Sequence, residues 1–212
     1  QHKSTHTWIF NIFQTYTTKR TPVHTRKMKN NGVILTQVRE QQPVVGISAC
    51  LAGQNVRYDG GNKFHQLIQQ ELVPWLNFQA ICPEAEAHLG VPRPPVQLVK
   101  TSEGIQALGV EEKTLNVTQA LNHTSQHLVK NYGYKMCAYI VKARSPSCGA
   151  GSTPIYNMNG LEQNAGNGIF VETLKTSFPH IIIVEESVFN DIEMCKDFLE
   201  QCYQLDQKLA GR

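Results

Sequence analysis

Two patterns of hydrophobic and polar positions alternate along the chain from residue 43 onwards. Short runs rich in β-branched and aromatic residues, bounded by proline, glycine or polar residues, predict strands at 44–51, 78–82, 138–143 and 180–184. Apolar residues spaced three or four positions apart predict helices at 64–76, 114–132, 169–177 and 187–209. Strands that alternate with helices indicate an α/β fold, here a Rossmann-like open, mostly parallel sheet flanked by helices.

The segments outside this pattern are of three kinds. Residues 1–42 lack periodicity and are rich in Thr, Lys, His and Asn, which predicts a basic, poorly structured leader before an α/β domain at 43–212. A basic arm that binds RNA or a partner chain is the alternative for the leader. The proline-rich segment 89–95 predicts a rigid loop. The glycine-rich segment after Cys148 is expected to form a flexible wall of a crevice.

The charge of the chain is distributed unevenly. Residues 1–40 carry seven Lys and Arg against one Glu, and the remainder carries thirteen against sixteen acidic residues. Binding to nucleic acid would therefore depend on the leader alone and is not favoured. No apolar run approaches the roughly 18 residues that a membrane span needs, and no secretory signal is recognisable. We expect a cytoplasmic protein, in which cysteines serve as thiols, metal ligands or catalysts rather than disulfides.

The six cysteines divide into two groups by their position. Cys137 opens a predicted strand, and Cys195 and Cys202 lie on one face of the closing helix. Free cysteines in such places behave as small apolar residues, so a structural role is expected for these three. Cys50, Cys82 and Cys148 follow the first, second and third predicted strands.

Ligands of an open parallel sheet bind outside the carboxyl ends of its strands, so Cys50, Cys82 and Cys148 are expected to meet in one crevice. Glu84 lies two residues beyond Cys82, and Ser145 and Ser147 precede Cys148. Helices that begin after these strands would favour thiolates through their N-terminal N–H groups. The alternative is that the three cysteines only fill loops, since no paired CxxC ligands are present.

Three thiolates without a fourth are compatible with two alternative kinds of metal site. Zinc would take the three thiolates and a water molecule. A 4Fe-4S cluster with three protein ligands would leave one iron open to a soft donor such as sulfur. The spacing of the cysteines does not choose between these two sites.

Five segments occur in the order and spacing of a known family: 47–51 (Ile-Ser-Ala-Cys-Leu), 56–61 (Val-Arg-Tyr-Asp-Gly-Gly), 81–84 (Ile-Cys-Pro-Glu), 92–95 (Pro-Arg-Pro-Pro) and 142–149 (Lys-Ala-Arg-Ser-Pro-Ser-Cys-Gly). Together with Gly-Asn-Gly-Ile-Phe at 166–170, they resemble the thiouracil desulfidase family over residues 43–190.

The resemblance implies a 4Fe-4S cluster held by Cys50, Cys82 and Cys148. It further implies that the open iron takes the sulfur of a thiolated pyrimidine such as 2-thiouracil, and that water then yields the oxo base and sulfide. The matched positions supply Glu84 as general acid or base and Ser145 as the assisting hydroxyl, with Ser147 as the second choice. The reaction needs no net electron transfer, so the cluster would serve as a Lewis acid.

Other functions stay open beside this one. A desulfidase could act on 4-thiouridine in tRNA or as the nucleoside, and a non-catalytic cluster-binding sensor would need no general acid or base. Monomer and dimer are both compatible with the sequence. Two segments depart from the family pattern, at His88 and at Asn157, and both are expected in substrate-facing loops. Arg57 and Arg93 could contact substrate or backbone carbonyls, and Arg57 could instead pair with Asp59.

Overall fold

Two β-sheets and five α-helices make up the part of the chain that carries the predicted domain. The computed structural model describes residues 29–30, 33–34 and 42–210. The strands are β1 (Lys29–Asn30), β2 (Val33–Ile34), β3 (Val44–Ser48), β4 (Asn77–Ile81), β5 (Val96–Thr101), β6 (Gly104–Gly109), β7 (Ala138–Val141), β8 (Ala150–Tyr156), β9 (Glu162–Asn167) and β10 (Ile182–Glu185). The helices are α1 (Gln66–Glu71), α2 (Pro83–Glu86), α3 (Thr118–Tyr132), α4 (Ile169–Ser177) and α5 (Ile192–Ala210), with 3₁₀ turns at Gly133–Lys135 and Glu186–Val188.

The predicted leader lies almost entirely outside the described residues. Of residues 1–41, the structure describes only the antiparallel pair β1 and β2, in which Lys29 is opposite Ile34. The prediction of a poorly structured leader therefore stays a prediction. The residues from Pro43 onwards form a compact unit of their own.

The predicted parallel sheet is present, with strand order β10-β7-β3-β4 and every pair parallel. All four residues of β7 are buried, as are Val45 to Ser48 of β3. A strand that is covered on both faces cannot alternate apolar and polar residues, which explains why these two strands read as continuous apolar runs. All four predicted strands are confirmed as members of this one sheet.

A second four-stranded sheet, in the order β6-β5-β8-β9, was not predicted. It is mixed: β5 pairs antiparallel with β6 and parallel with β8, and β8 pairs antiparallel with β9. The expectation of a flexible glycine-rich wall after Cys148 is therefore wrong, because this segment forms β8. β9 has the sequence Glu-Gln-Asn-Ala-Gly-Asn and is largely exposed, so neither apolar alternation nor strand propensity marks it in the sequence.

The helices lie close to the residue ranges that the sequence predicts. The prediction of a helix at 169–177 agrees with α4 at both ends. The prediction at 64–76 is too long: α1 begins after His65, whose Nδ1 accepts a hydrogen bond from the backbone N–H of Ile68, and turns follow it. In place of a helix from residue 187, a 3₁₀ turn precedes α5.

Cys137, Cys195 and Cys202 lie in the hydrophobic core between the parallel sheet and α5, each no more than 1% exposed. Their predicted structural role is confirmed. Across residues 42–210, the structure contains no helix that is both long enough and apolar enough to cross a lipid bilayer.

Candidate active site

A cleft of about 400 Å³ opens at the carboxyl ends of β3, β4 and β7. The chain runs from β3 to β4 on one side of the sheet and returns to β7 on the other, so the strand order reverses at β3. Open α/β sheets bind their ligands at such a reversal. Seven predicted residues line the cleft: Cys50, Arg57, Cys82, Glu84, Arg93, Ser145 and Cys148. The side chain of Ser147 lies behind this wall and is fully buried.

Two of the three thiols are carried by tight connections at the strand ends. Cys50 lies in the turn after β3, where its carbonyl oxygen accepts hydrogen bonds from the backbone N–H groups of Gly53 and Lys63. Cys82 directly follows β4 and is the residue at which α2 begins. Its sulfur lies 3.8 Å from the carbonyl oxygen of Val56, in the loop after Cys50. The first two thiols are therefore linked through this loop.

Cys148 lies in a turn that side-chain and backbone hydrogen bonds fix from both ends. The hydroxyl oxygen of Ser145 accepts hydrogen bonds from the backbone N–H groups of Ser147 (3.3 Å) and Cys148 (3.1 Å). At the start of α4, the backbone N–H groups of Ile169 and Phe170 donate to the carbonyl oxygens of Pro146 and Ser147, each at 3.0 Å. The N-terminus of α4 therefore binds the backbone of this turn.

Gly168 allows α4 to approach the turn this closely. A Cβ atom at residue 168 would lie 2.4 Å from the carbonyl carbon of Ser147 and 2.7 Å from the backbone nitrogen of Cys148. Both atoms belong to the backbone, so neither can move without displacing the turn.

We expect Gly168→Ala to lower the free energy of unfolding by about 1–3 kcal/mol, the usual cost of overpacking. Urea unfolding followed by circular dichroism measures this change. Gly61→Ala is the control, because its added Cβ would meet only the exposed side chain of Asp59; we expect a change within about 0.5 kcal/mol. Equal stability of Gly168→Ala and the wild type would contradict the close approach.

Burial governs the protonation of the three thiols. It raises the pKa of Cys50 from 9.0 to about 11, with a further contribution from the Cys82 thiol, while Arg57 and Lys142 act in the opposite direction. Burial also raises the pKa of Cys82 and, more strongly, that of Cys148. The backbone N–H groups of Glu84 and Ala85, at the start of α2, do lower the pKa of Cys82 as expected, but burial outweighs them. The helix after Cys82 has only four residues, and its N–H groups do not offset the loss of solvation.

Glu84 is held in the cleft wall by two side chains. Arg93 donates to its Oε2 from Nε at 2.9 Å and approaches the same oxygen with Nη2 at 2.8 Å. Ser147 donates to Oε1 from its hydroxyl at 2.9 Å. The sequence named Arg93 only as a possible ligand of substrate or backbone carbonyls, and its partner Glu84 lies nine residues earlier, across a loop and a short helix.

Lys142 was not singled out by the sequence, although it lines the cleft. Its ammonium group pairs with Glu186 and donates to the carbonyl oxygen of Ala143 at 3.1 Å. Glu186 also accepts the backbone N–H of Ala143 at 2.6 Å, which ties the end of β7 to the segment after β10. Only the fold brings Glu186 to this lysine, since the two residues are 44 positions apart.

The two departures from the family pattern do not reach the cleft. His88 is exposed in a loop after α2, and Asn157 follows β8; neither lines the cleft, contrary to expectation. Arg57 lines it and lies 3.5 Å from Asp59, as the sequence suggested. Within the described part of the chain, no group of three or more His, Cys, Asp or Glu side chains is arranged to bind a single metal ion.

The fold and the cleft define an α/β protein with three thiols, a carboxylate and a hydroxyl at the carboxyl edge of a parallel sheet. The family model described as 2-thiouracil desulfurase matches residues 45–186, so the chain belongs to this family. The resemblance that the sequence motifs indicated is thereby confirmed.

Two individual proteins are similar to the chain. The uncharacterized protein YbbK of Bacillus subtilis (strain 168) is 29% identical over 157 residues, which cover 69% of this chain and 97% of YbbK. A solved structure of TudS, a 4Fe-4S-dependent thiouracil desulfidase, matches with a TM-score of 0.54 and 27% identity, over 74% of this chain and 99% of TudS.

Proposed function

We propose that this protein is an iron–sulfur-dependent desulfidase that converts thiolated pyrimidines such as 2-thiouracil to the oxo base and releases sulfide. The proposal is supported by membership of the 2-thiouracil desulfurase family and by the similarity to TudS. The observation that carries it is the presence of Cys50, Cys82, Cys148, Glu84 and Ser145 around one cleft. The volume of about 400 Å³ falls within the range of small-molecule sites, roughly 300–1,000 Å³.

The donor set of the cleft fits a 4Fe-4S cluster better than a single ion. Three thiols line the cleft and the other three cysteines are in the core, so the protein offers three sulfur ligands and no fourth. In a cubane cluster each thiolate binds a different iron, so its ligands need not converge on one point as they must around zinc. We infer that Cys50, Cys82 and Cys148 would hold such a cluster, which when bound supplies Lewis-acid chemistry toward the sulfur of the substrate.

The side chains of the cleft would perform the proton transfers. In the overall reaction a C=S bond and water become a C=O bond and hydrogen sulfide, without oxidation or reduction. The Glu84 carboxylate has about four acceptor positions, of which three are occupied by Arg93 and Ser147. The fourth can accept a proton from water or hold one for the ring nitrogen.

The hydrogen bonds of the two serines support Ser145 as the assisting hydroxyl. Ser147 is fully buried and already donates its proton to Glu84. Ser145 is half-buried at the cleft and uses its oxygen as an acceptor of two backbone N–H groups. Its own proton has no acceptor among the described residues, so it can donate to a substrate atom.

Anaerobic reconstitution with iron and sulfide tests the proposal. We expect a brown protein with broad absorption near about 400 nm that releases sulfide from 2-thiouracil and forms uracil in equal amount. A colourless protein that holds one zinc ion would contradict the cluster. A brown protein that leaves 2-thiouracil unchanged would contradict the activity.

Ser145→Ala should keep the colour of the reconstituted protein and lower kcat about 10²-fold, the usual cost of losing one donor aimed at a reacting group. Iron content, sulfide content and kcat measured on the same preparation separate the two effects. Ser102→Ala, an exposed serine in the turn between β5 and β6, is the matched control and should match the wild type. Full activity of Ser145→Ala would exclude this hydroxyl from the reaction.

A further inference from the structure

Arg93 makes all of its polar contacts within the protein. Besides the two contacts with Oε2 of Glu84, its Nη1 donates to the carbonyl oxygens of Val56 and Gly90, both at 2.9 Å. Its side chain is only 5% exposed. A guanidinium group with every nitrogen engaged is held in one orientation. Arg93 therefore uses four of its five N–H donors to hold other groups of the protein in place.

Ser147 holds the opposite oxygen of the same carboxylate. Its hydroxyl donates to Oε1 of Glu84, and its side chain is fully buried. Its backbone is fixed in turn, because its N–H donates to the hydroxyl of Ser145 and its carbonyl oxygen accepts from Phe170. Glu84 is thus bound through each of its two oxygens by a residue that cannot easily move.

A glutamate needs such a restraint at this place in the fold. Its side chain rotates about three bonds, and α2, which carries Glu84, has only four residues. Proton transfer requires the carboxylate within about 2.6–3.2 Å of the proton donor, and a displacement of about 1 Å can cost about 10²-fold in rate.

We infer that Arg93 and Ser147 are positioning residues that fix the carboxylate of Glu84 in the cleft wall for the desulfidation reaction. The inference rests on the proposed role of Glu84 in proton transfer. Arg93 also joins three segments of the cleft, the loop at Val56, the helix α2 and the loop at Gly90. It therefore sets the position of Glu84 relative to the loop that contacts Cys82.

A double-mutant cycle tests whether the two residues act through Glu84. Arg93→Ala, Arg93→Lys and Ser147→Ala are each measured alone and combined with Glu84→Gln. We expect kcat to fall about 10²-fold for Arg93→Ala and about tenfold for Ser147→Ala, with KM within about twofold of the wild type and iron per chain unchanged. On the Glu84→Gln background, the same changes should have no further effect on kcat. Arg93→Lys should restore little of the kcat that Arg93→Ala loses, because an ammonium group cannot make all four contacts of the guanidinium group.

Two results of the double-mutant cycle would contradict the positioning role of Arg93 and Ser147. A fall in kcat by the same factor on both backgrounds, or one that only follows the loss of iron, would overturn the inference. Glu193→Gln removes an exposed ion pair on α5 and should change neither kcat nor iron content.

A crystal structure of cluster-free Arg93→Ala gives a readout that does not depend on activity. We expect the carboxylate of Glu84 to leave its position beside Ser147, and an unmoved carboxylate would overturn the inference. If the wild type releases no sulfide from any thiolated pyrimidine, the proposed function is wrong. The position of Glu84 in this variant still decides the positioning role. Ser147→Ala provides the same structural test if Arg93→Ala does not fold.

Discussion

Cys148→Ala is expected to abolish both the colour of the reconstituted protein and the release of sulfide from 2-thiouracil. Cys148 lines the cleft with Cys50 and Cys82, and no other cysteine is available to replace it, because the remaining three are in the core. Loss of a direct ligand should cost more than the roughly 10–100-fold in metal affinity that loss of an outer-shell partner costs. Iron and sulfide analysis after anaerobic reconstitution, followed by gel filtration, measures the loss.

Cys195→Ala is the matched control for this substitution. It makes the same chemical change at a buried cysteine, but on α5 and away from the cleft. We expect full iron content and activity, with a loss of stability of about 1 kcal/mol. A Cys148→Ala protein that retains full iron content would show that the cluster is bound elsewhere or by other residues.

The position of the three thiols could be predicted from the sequence because it follows from the parallel sheet. β3 and β7 are buried on both faces, so their apolar runs are visible without any knowledge of neighbours. Each cysteine then follows a strand, and parallel strands place their carboxyl ends at one edge. The motif Cys-Pro-Glu adds Glu84 to the same edge, because only one residue separates it from Cys82.

Two strands of the second sheet, β8 and β9, could not be predicted because they carry little signal of their own. β9 is polar and exposed, and β8 contains Pro154 and begins next to glycine. β8 is stabilised by parallel pairing with β5, and Leu98 and Ile155 pack against α3 and α4; these are long-range contacts. The formation of β8 therefore depends on the fold more than on local propensity.

The contacts that orient Glu84 could not be predicted from the sequence either. Arg93 reaches Glu84 across a loop, and Ser147 reaches it over 63 positions. The protonation of the thiols depends on burial, which spacing does not reveal: burial outweighs the nearby Arg57 and Lys142 and raises the pKa of Cys50 to about 11. Sequence patterns identified the three thiols, Glu84 and Ser145 of the cleft, whereas the fold determines which side chains touch.

Glu84→Gln is expected to keep the iron–sulfur colour and lose turnover by about 10²–10⁴-fold, the usual contribution of a positioned acid or base. The amide has nearly the shape of the carboxylate; its oxygen can still accept hydrogen bonds from Arg93, and its NH2 group can donate to the Ser147 hydroxyl. It can no longer take up a proton at neutral pH. The loss should therefore appear in kcat, with little change in KM or in the iron content of the protein.

Glu86→Gln is the matched control, because Glu86 lies on the same short helix but is exposed and does not line the cleft. We expect its kcat to equal that of the wild type.

The comparison of Glu84→Gln with Glu86→Gln also separates an enzyme from a non-catalytic cluster-binding sensor. A sensor would bind its cluster equally well with glutamate or glutamine at residue 84 and would show no turnover to lose. A large loss of kcat confined to Glu84→Gln, at unchanged iron content, is the result that only the enzyme predicts.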